Sequence, residues 1–399
     1  MKLLSTDIKN NVLKSVVRLL GERKAEIIAA NKEDLEAFTK DDQAMYDRLV
    51  ADDKKVDGMI NSVREVMEQE DPVGQVISEV NRDNGLNIIN KTAPFGTIMI
   101  IYESRPDVTV EAAVLAFKAN NKILLKGGKE AIRSNEVLVD IWHQALKENE
   151  LPVDWVQLLK LNRTQTQEFL KNPPQKIDLI VPRGGERLIA FVKEHAECPV
   201  LVSGRGNNFI YVDRTADWDE SIKVILNAKT DKISACNALD KILIDRHIPE
   251  LEKKLVHLQK SLHEFNVSLL VDEQVQETLK NEPLIPEEST WYEEFLALKA
   301  CIGLVENEDE AIDKINQYSG GHSSGIMTND LTKAIGFMEQ VDSGAVYHNA
   351  STRFTDGGQM GVGAELAIST DKLHHRGPLG LKQLVTNKYY VFGTGQVRV

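Results

Sequence analysis

A continuous apolar run reads Pro94-Phe95-Gly96-Thr97-Ile98-Met99-Ile100-Ile101-Tyr102 and ends at the turn Glu103-Ser104-Arg105-Pro106. An apolar run without alternation predicts a strand that is buried on both faces. An amphipathic helix is predicted over 108–120, and Lys122-Ile123-Leu124-Leu125-Lys126 predicts a second strand that leaves into Gly127-Gly128. A strand, a helix and a strand at this spacing predict a parallel, doubly wound sheet and therefore an α/β fold.

The same alternation continues on both sides of this segment. Upstream, apolar residues at helical spacing predict several helices over 7–70, and Asn84-Gly85 predicts the turn of a hairpin over 75–93. Downstream, the predicted strands are 156–159, 177–181 and 199–202, and the predicted helices are 135–149, 165–170 and 186–195. Ligands of such sheets bind beyond the carboxyl ends of the strands, so the turns 103–106, 126–129 and 182–185 are candidate ligand contacts.

A second lobe is predicted from Phe209 onward, because 399 residues are too many for one hydrophobic core. Its predicted helices are 217–227, 249–265 and 309–317, and its predicted strands are 241–245, 267–271, 324–328 and 345–347. An apolar run covers 296–305. A last strand is predicted over 387–392.

Composition restricts the classes of function. The net charge is −13 and no dense basic cluster is present, which argues against nucleic acid as the main partner but allows a small anionic substrate. No apolar run reaches the ~18 residues of a membrane span, and polar residues follow Met1 closely, so we expect no membrane segment, no signal peptide and a cytoplasmic location. Three cysteines without a Cys-x-x-Cys pair predict neither structural disulfides nor a metal site.

No complete nucleotide-binding motif is present. Gly204-Arg205-Gly206 and Gly361-Val362-Gly363 lack the third glycine of Gly-x-Gly-x-x-Gly, and no Walker A sequence precedes Lys129. Any nucleotide is therefore held in another way. Lys126, at a strand end, is a candidate contact for a ribose or a 2′-phosphate, and Arg183-Gly184-Gly185 is a candidate anion contact before a helix. The alternatives are a solvated lysine and an ordinary turn at the start of a helix.

The cysteines differ in their surroundings. Cys236 lies in Ser234-Ala235-Cys236-Asn237-Ala238, between a predicted helix and a predicted strand. Small neighbours suit a nucleophilic thiolate that a substrate must approach, although a structural thiol is the alternative. Cys198 at a strand start and Cys301 in an apolar run are predicted to be structural.

A polar segment near the C-terminus reads Tyr347-His348-Asn349-Ala350-Ser351-Thr352-Arg353-Phe354-Thr355-Asp356-Gly357-Gly358. Core segments do not combine hydroxyls, an arginine and an acid in this way, so the segment predicts the wall of a polar pocket. Arg353 is suited to a carboxylate or phosphate, because its guanidinium donates two parallel hydrogen bonds.

Together these segments resemble the gamma-glutamyl phosphate reductases, also called glutamate-5-semialdehyde dehydrogenases, of the aldehyde dehydrogenase superfamily. The order and spacing hold from about residue 10 to the C-terminus. The matching segments are 101–110, 125–131, 180–185, 227–230, 236–239, 347–358, 361–365 and 368–370.

The resemblance implies an aldehyde-dehydrogenase-like fold in three parts. A doubly wound, Rossmann-type cofactor domain is expected over 1–74, 96–203 and 373–386, and an α/β catalytic domain over 204–372. A small β oligomerisation element is expected over 75–95 and 387–399. The protein is accordingly expected to form a homodimer or a homotetramer.

The resemblance also implies an activity, the reduction of L-glutamyl 5-phosphate by NADPH to L-glutamate 5-semialdehyde and phosphate. This is the second step of proline biosynthesis from glutamate, and a functional association with glutamate 5-kinase is expected. Cys236 is the implied thioester-forming nucleophile, with Asn237 and Ser104 as implied contacts of the oxyanion. The implied cofactor contacts are Lys126, Gly127, Arg183, Gly184, Gly185 and Glu294, and the implied substrate contacts are Arg105, Ser351, Thr352 and Arg353.

The chain also departs from this family. Asn207-Asn208 precede Phe209-Ile210, where the family usually carries a cysteine and a histidine, and Gln359 replaces a more usual glutamate. The segment Leu201-Val202-Ser203-Gly204 holds no acid, whereas hydrolytic aldehyde dehydrogenases carry their water-activating glutamate there. The alternatives are a hydrolytic enzyme, which the missing acid disfavours, a CoA-acylating relative, and a catalytically silent scaffold.

Overall fold

The computed structural model describes residues 2–40, 42–373 and 375–398. The chain divides into two compact units. Unit 1 runs up to Val202 and also includes Gly361–Ala367 and the chain from Pro378 onward, whereas unit 2 comprises Ser203–Met360 and Ile368–Gly377.

The α-helices of the described residues begin mostly at capped ends. Their bounds are α1 Thr6–Glu22, α2 Lys24–Glu36, α3 Gln43–Leu49, α4 Asp53–Glu68, α5 Pro106–Lys118, α6 Ile132–Glu148, α7 Arg163–Lys171, α8 Glu186–His195, α9 Trp218–Thr230, α10 Leu251–Glu264, α11 Glu273–Thr278, α12 Glu308–Tyr318 and α13 Leu331–Gln340. The capping side chains, which accept a hydrogen bond from a first-turn backbone N–H, are Ser5, Asp42, Asp52, Asn162, Asp217, Asp272, Asn307 and Asp330.

In the described parts of the chain, the strands form four sheets. Their bounds are β1 Val76–Asn81, β2 Asn87–Pro94, β3 Thr97–Tyr102, β4 Lys122–Lys126, β5 Val156–Leu158, β6 Leu179–Arg183, β7 Asn208–Val212, β8 Leu239–Asp245, β9 Ser268–Val271, β10 Lys299–Val305, β11 Ser323–Met327, β12 Ala345–His348, β13 Glu365–Ser369, β14 Gly377–Gly380 and β15 Val385–Phe392. Strands β13 and β14 form a two-stranded sheet of their own within the described residues.

The main sheet of unit 1 has the parallel order β5-β4-β3-β6. Ile101 lies opposite Lys126, and Tyr102 lies opposite Arg183, so the three strands β4, β3 and β6 end at one edge. Helix α5 is buried on almost every side because strands β3 and β4 and helices α1, α4 and α6 pack around it. Strand order reverses at β3, and the turns that follow these strands therefore lie at a switch point of the sheet.

A separate antiparallel sheet in unit 1 has the order β1-β2-β15. It joins the predicted hairpin to the last strand, with Val385 opposite Pro94 and Phe392 opposite Asn87. The side chains of Val76, Ile77, Tyr389, Val391 and Phe392 are each more than half exposed.

Unit 2 is built on a sheet of order β12-β11-β7-β8-β10-β9, in which all neighbouring strands are parallel. Strands β7 and β8 are central and fully buried. The cysteine turn, residues 231–238, connects helix α9 to strand β8.

The predicted α/β class is confirmed, and most predicted elements are present within a few residues of their predicted bounds. The predicted strand 199–202 is wrong, because Val200 forms only one isolated bridge, to Ile180. Pro199 has no N–H for a ladder, and a loop with Gly204 and Gly206 follows. Sequence analysis did not predict α11, α13, β7, β13 or β14, and it described the region of β10 only as an apolar run.

Candidate active site

Asn208 holds the backbone of the cysteine turn. The fully buried Asn208 amide lies within hydrogen-bonding distance of three carbonyl oxygens, those of Cys236 at 2.8 Å, Gly206 at 2.8 Å and Ala238 at 2.7 Å. Its own oxygen accepts a hydrogen bond from the N–H of Ser323 at 3.0 Å. One buried side chain therefore fixes the carbonyl of Cys236, while the cysteine itself is only half-buried.

Gly206 packs directly against the same backbone. A Cβ atom at this position would lie 1.9 Å from the carbonyl oxygen of Cys236 and 2.6 Å from its Cα atom. No side chain fits there, because the colliding atoms belong to the backbone and cannot rotate away. The glycine, considered at the sequence level only as part of a dinucleotide motif, thus serves the cysteine turn.

The polar C-terminal segment reaches Asn237, the residue after the cysteine. The Asn237 side-chain amide donates hydrogen bonds to the carbonyls of Thr355 at 2.9 Å and Arg353 at 3.1 Å. The Thr352 hydroxyl donates to the Asn237 carbonyl at 2.8 Å. Among the described residues, the backbone N–H of Asn237 donates no hydrogen bond.

Arg353 lies beside the cysteine turn. Its Nε atom is 3.0 Å from Oδ2 of Asp231, and its Nη1 atom donates to Oδ1 of Asn237. The hydroxyl of Ser351 accepts a hydrogen bond from the N–H of Arg353 at 3.3 Å. The structure thus brings the predicted residues Ser351, Thr352 and Arg353 together with the turn that carries Cys236.

A chain of buried hydroxyls continues from this segment. Nδ1 of His322 lies 2.7 Å from the hydroxyl of Ser323, which lies 2.7 Å from the hydroxyl of Thr355. The phenol of Tyr347 lies 2.7 Å from the same Thr355 hydroxyl, and burial raises the pKa of Tyr347. Sequence analysis missed His322 and Ser323, because no spacing connects them to the polar segment.

Glu294 lies in the loop before strand β10. Burial raises the pKa of the Glu294 carboxyl, and the neighbouring Asp240 carboxylate raises it further. A hydrogen bond with the Gly206 backbone acts in the opposite direction, as do His322 and Arg205. The next residue is fixed through its backbone, since the N–H of Phe295 donates to Oδ2 of Asp240 at 3.0 Å.

The two departures from the family pattern have different surroundings. Asn207 is buried and donates to the carbonyls of Trp291 at 2.6 Å and Tyr318 at 2.9 Å, so it fastens the loop before β10. Gln359 is exposed, and its N–H donates to Asp356 at 3.2 Å.

The other two cysteines have raised pKa values. Cys301 is fully buried in strand β10, and burial raises the pKa of its thiol to about 11. Burial likewise raises the pKa of Cys198. Thiols of this kind are poor nucleophiles near neutral pH.

In unit 1, the predicted cofactor contacts lie at the carboxyl edge, defined here as the turns after β3, β4 and β6. The ammonium group of Lys126 donates to the carbonyl of Gly127 at 2.8 Å, and burial lowers the pKa of this lysine. A Cβ at Gly127 would lie 2.5 Å from Nδ2 of Asn135, and one at Gly128 would lie 2.4 Å from the Ser104 hydroxyl. Close packing therefore requires both glycines. The oxygen of the Asn135 amide accepts a hydrogen bond from Thr109 at 2.7 Å, whereas its nitrogen is buried without a hydrogen-bond partner among the described residues.

Ser104 is almost fully buried, and its hydroxyl donates to Glu130 at 2.8 Å. Glu130 also pairs with Lys40 at 2.7 Å. Arg105 pairs instead with Asp107 at 2.9 Å.

Arg183 and the two glycines form the third turn of this edge. The Arg183 guanidinium donates to the carbonyl of Leu366. The N–H of Gly185 donates to Oε1 of Glu103 at 2.8 Å, and a Cβ at Gly184 would lie 2.8 Å from the same side chain. The Glu103 carboxylate thus already accepts the hydrogen bond from Gly185 that was predicted to go to an external anion.

Among the described residues, no cluster of three or more His, Cys, Asp or Glu side chains is placed to bind a metal ion. None of the described helices is both long and apolar enough to cross a membrane.

Comparison with known proteins identifies the class. Residues 14–276 and 284–365 match the aldehyde dehydrogenase family, and the chain belongs to this family of oxidoreductases, whose members use a nicotinamide cofactor.

The narrower group follows from curated relatives. The chain is 42% identical to gamma-glutamyl phosphate reductase of Persephonella marina, over 100% of this chain and 91% of that protein. It is 40% identical to gamma-glutamyl phosphate reductase of Dictyoglomus thermophilum, over 100% and 96% of the two chains. Within the aldehyde dehydrogenase family, the chain therefore falls among the gamma-glutamyl phosphate reductases, as the sequence resemblance predicted.

Solved structures agree. The crystal structure of gamma-glutamyl phosphate reductase from Thermotoga maritima matches with a TM-score of 0.94 and 41% identity, over 99% of this chain and 95% of that one. An acetylating aldehyde dehydrogenase from Geobacillus thermoglucosidasius matches with a TM-score of 0.68 at 17% identity, over 99% and 94% of the two chains, which shows a shared fold.

Proposed function

We propose that this chain reduces L-glutamyl 5-phosphate to L-glutamate 5-semialdehyde with release of phosphate, and that Cys236 carries the acyl group as a thioester. The main support for this proposal is the position of Cys236, which is partly exposed on a turn whose backbone is fixed by Asn208 and Gly206. A fixed nucleophile lowers the entropic part of the barrier, because it holds the attacking atom in one position.

Cys236 performs two bond exchanges in this proposal. Its thiolate attacks the γ-carbonyl carbon, a C–S bond forms, and the C–O bond to the phosphate breaks. After reduction of that carbon, the C–S bond breaks, the aldehyde leaves, and the thiolate is restored.

The oxyanion contact is assigned to the backbone of Asn237. Its N–H follows the nucleophile directly and has no partner among the described residues. The Asn237 side chain already donates to Arg353 and Thr355, and it therefore supports the oxyanion site indirectly by positioning the turn. An oxyanion role of Ser104 requires its hydroxyl to turn away from Glu130.

The residues of the carboxyl edge fit a nicotinamide nucleotide. Among the described residues, the half-buried Lys126 has no carboxylate at hydrogen-bonding distance, and Gly127 and Gly128 bring no side chains of their own to the adjacent backbone. Lys126 is assigned to the ribose and 2′-phosphate, with Gly127, Arg183, Gly184 and Gly185 along the cofactor and Glu294 at the nicotinamide ribose. When bound, NADPH supplies the hydride that reduces the thioester carbon.

Arg353, Ser351 and Thr352 are assigned to the anionic groups of the substrate, together with Arg105. The pairing of Arg353 with the exposed Asp231 supports this assignment, since an incoming carboxylate or phosphate can replace an exposed partner. Arg105 is paired with the largely buried Asp107, so its assignment rests on the family resemblance.

The wider setting of the proposal is a cytoplasmic homodimer or homotetramer that works after glutamate 5-kinase in proline biosynthesis. The exposed apolar side chains of the β1-β2-β15 sheet support oligomerisation, because isolated soluble chains rarely expose such clusters.

The decisive experiment compares two half-buried cysteines. Cys236→Ala is expected to abolish phosphate-dependent reduction of NADP⁺ by glutamate 5-semialdehyde while NADPH binding, measured by fluorescence, persists. Cys198→Ala, the matched control, is expected to stay close to the native rate. Retained turnover in Cys236→Ala rules out the thioester mechanism. Turnover that requires CoA instead of phosphate, or neither, favours the acylating or hydrolytic alternative.

A further inference from the structure

A buried ion pair closes the cysteine turn. Lys229 in the last turn of α9 and Asp240 in strand β8 form a bond of 2.9 Å, and their side chains are 0% and 3% exposed. All residues of the cysteine turn lie between these two partners in sequence. The pair therefore fixes the separation of the two ends of the segment that carries Cys236.

The same carboxylate reaches a second segment. Oδ1 of Asp240 accepts from Lys229, and its Oδ2 accepts from the N–H of Phe295 at 3.0 Å. The next residue of β8, Lys241, donates to the carbonyl of Glu293 at 2.8 Å. Glu294 is thus held on both sides, through Glu293 and through Phe295.

The ring of Phe295 is surrounded by cations. The ammonium groups of Lys241, Lys299 and Lys229 lie 3.8, 4.5 and 6.0 Å from its centroid. Attraction to the ring face favours this arrangement. The position of the Glu294 loop and the position of the cysteine turn consequently depend on one connected set of charges.

Such an arrangement is not needed for stability alone. A buried ion pair has a large desolvation cost, and apolar residues of equal volume often stabilise a fold as well or better. Burial lowers the pKa of Lys229 despite its carboxylate partner, in agreement with that cost. Unlike apolar packing, these charged hydrogen bonds are directional, because each bond fixes the position of a particular atom.

We propose that Lys229 and Asp240 are positioning residues that align the Cys236 turn with the Glu294 loop. The expected loss of kcat rests on the proposed function. The structural part of the proposal concerns only the reactivity of one thiol, which can be measured without substrate or cofactor.

The test measures alkylation of Cys236 by iodoacetamide as a function of pH, in the full-length protein, with the modified peptide quantified by mass spectrometry. Lys229→Met is expected to change the alkylation rate several-fold, to shift its pH profile, and to lower kcat more than tenfold. Lys229→Arg, which keeps the charge, is expected to recover part of both properties.

The matched control is the buried pair of unit 1, Lys9 and Asp71, which are 2.8 Å apart with side chains 1% and 14% exposed. Lys9→Met is expected to lower the melting temperature without moving the alkylation profile. If Lys229→Met instead keeps the native profile and only loses stability, the pair is structural and the proposal fails. Should Lys229→Met not fold, Asp240→Asn decides, because it keeps the shape of the side chain but removes the charge that pairs with Lys229. A native alkylation profile together with native kcat and KM in Asp240→Asn overturns the proposal. Failure of the proposed function would appear separately, as turnover by Cys236→Ala.

Discussion

The cysteine turn and the carboxyl edge are built by opposite means. Around the cysteine turn, the neighbouring polar side chains are bonded to backbone atoms, and Asn208 alone contacts three carbonyls. At the carboxyl edge, the space is set by glycines, and among the described residues Lys126 donates its hydrogen bond to the carbonyl of Gly127 rather than to another side chain.

The difference matches the demands that the proposed chemistry makes on each region. A nucleophile acts best from one fixed position, since a displacement of about 1 Å can cost on the order of 100-fold in rate. A cofactor that leaves after every turnover needs a preformed binding surface that holds it through few bonds, so that it can dissociate. Substitutions that damage each region should therefore produce different kinetic signatures.

The largest effect is expected in the cysteine turn. Gly206→Ala places a Cβ 1.9 Å from the Cys236 carbonyl oxygen, so the turn must shift. We expect kcat to fall by roughly 100-fold or more, with a parallel loss of Cys236 alkylation. The matched control is Gly336→Ala in helix α13, where the nearest atom is 3.7 Å away and activity should be unchanged. A native kcat in Gly206→Ala would show that the turn is not rigid.

A smaller effect of a different kind is expected at the carboxyl edge. Lys126→Met removes the cation assigned to the 2′-phosphate, so we expect KM for NADPH to rise about tenfold or more. A tenfold rise corresponds to a loss of about 1.4 kcal/mol of binding free energy. The value of kcat should change little. Lys122→Met, at the opposite end of the same strand and paired with Asp154, serves as the control. Equal effects of the two substitutions on KM for NADPH would show that Lys126 does not bind the cofactor.

The smallest expected effect concerns pH and the loop behind the cysteine turn. Burial lowers the pKa of Lys241 from 10.5 to about 8. The neighbouring Lys229 also lowers this pKa, whereas Cys301, Asp240 and Glu293 raise it. Between pH 8 and 10.5 the unfolded chain holds a proton that the folded chain has lost, so this group makes the free energy of unfolding rise with pH.

Lys241→Met should therefore flatten the rise in stability across that window. Urea unfolding at one pH below 8 and at one near 10.5 measures the slope. The exposed Lys14→Met provides the reference. An unchanged slope would mean that the lysine keeps its proton in the folded protein.

The sequence predicts the scaffold better than the contacts. Continuous apolar runs predicted β3, β4 and β8, because a strand buried on both faces has no room for polar residues. Lys126 and Arg183 were located at strand ends by the same logic. The role of Gly206 was not predictable, because its partner is the backbone of a residue far along the chain and no periodicity records that contact.

Asn208 illustrates the same limit. It stood out at the sequence level only as a departure from a family pattern, yet its amide holds the Cys236 carbonyl. The ion pair of Lys229 and Asp240 was also hidden, since sequence alone does not show that both side chains point inward from a helix and a strand. Buried polar contacts depend on side-chain direction, which only the folded chain fixes.

The pairing of β15 with β2 has a consequence for biosynthesis. Strand β2 ends at Pro94, but its partner begins at Val385, so the three-stranded sheet stays incomplete until residues 385–392 have been synthesised. Unit 2 is nearly continuous from Ser203 to Met360, so most of its residues leave the ribosome before this sheet can close. Nascent chains that stop before Val385 would thus carry β2 with one edge unpaired, the kind of surface on which chaperones and proteases act.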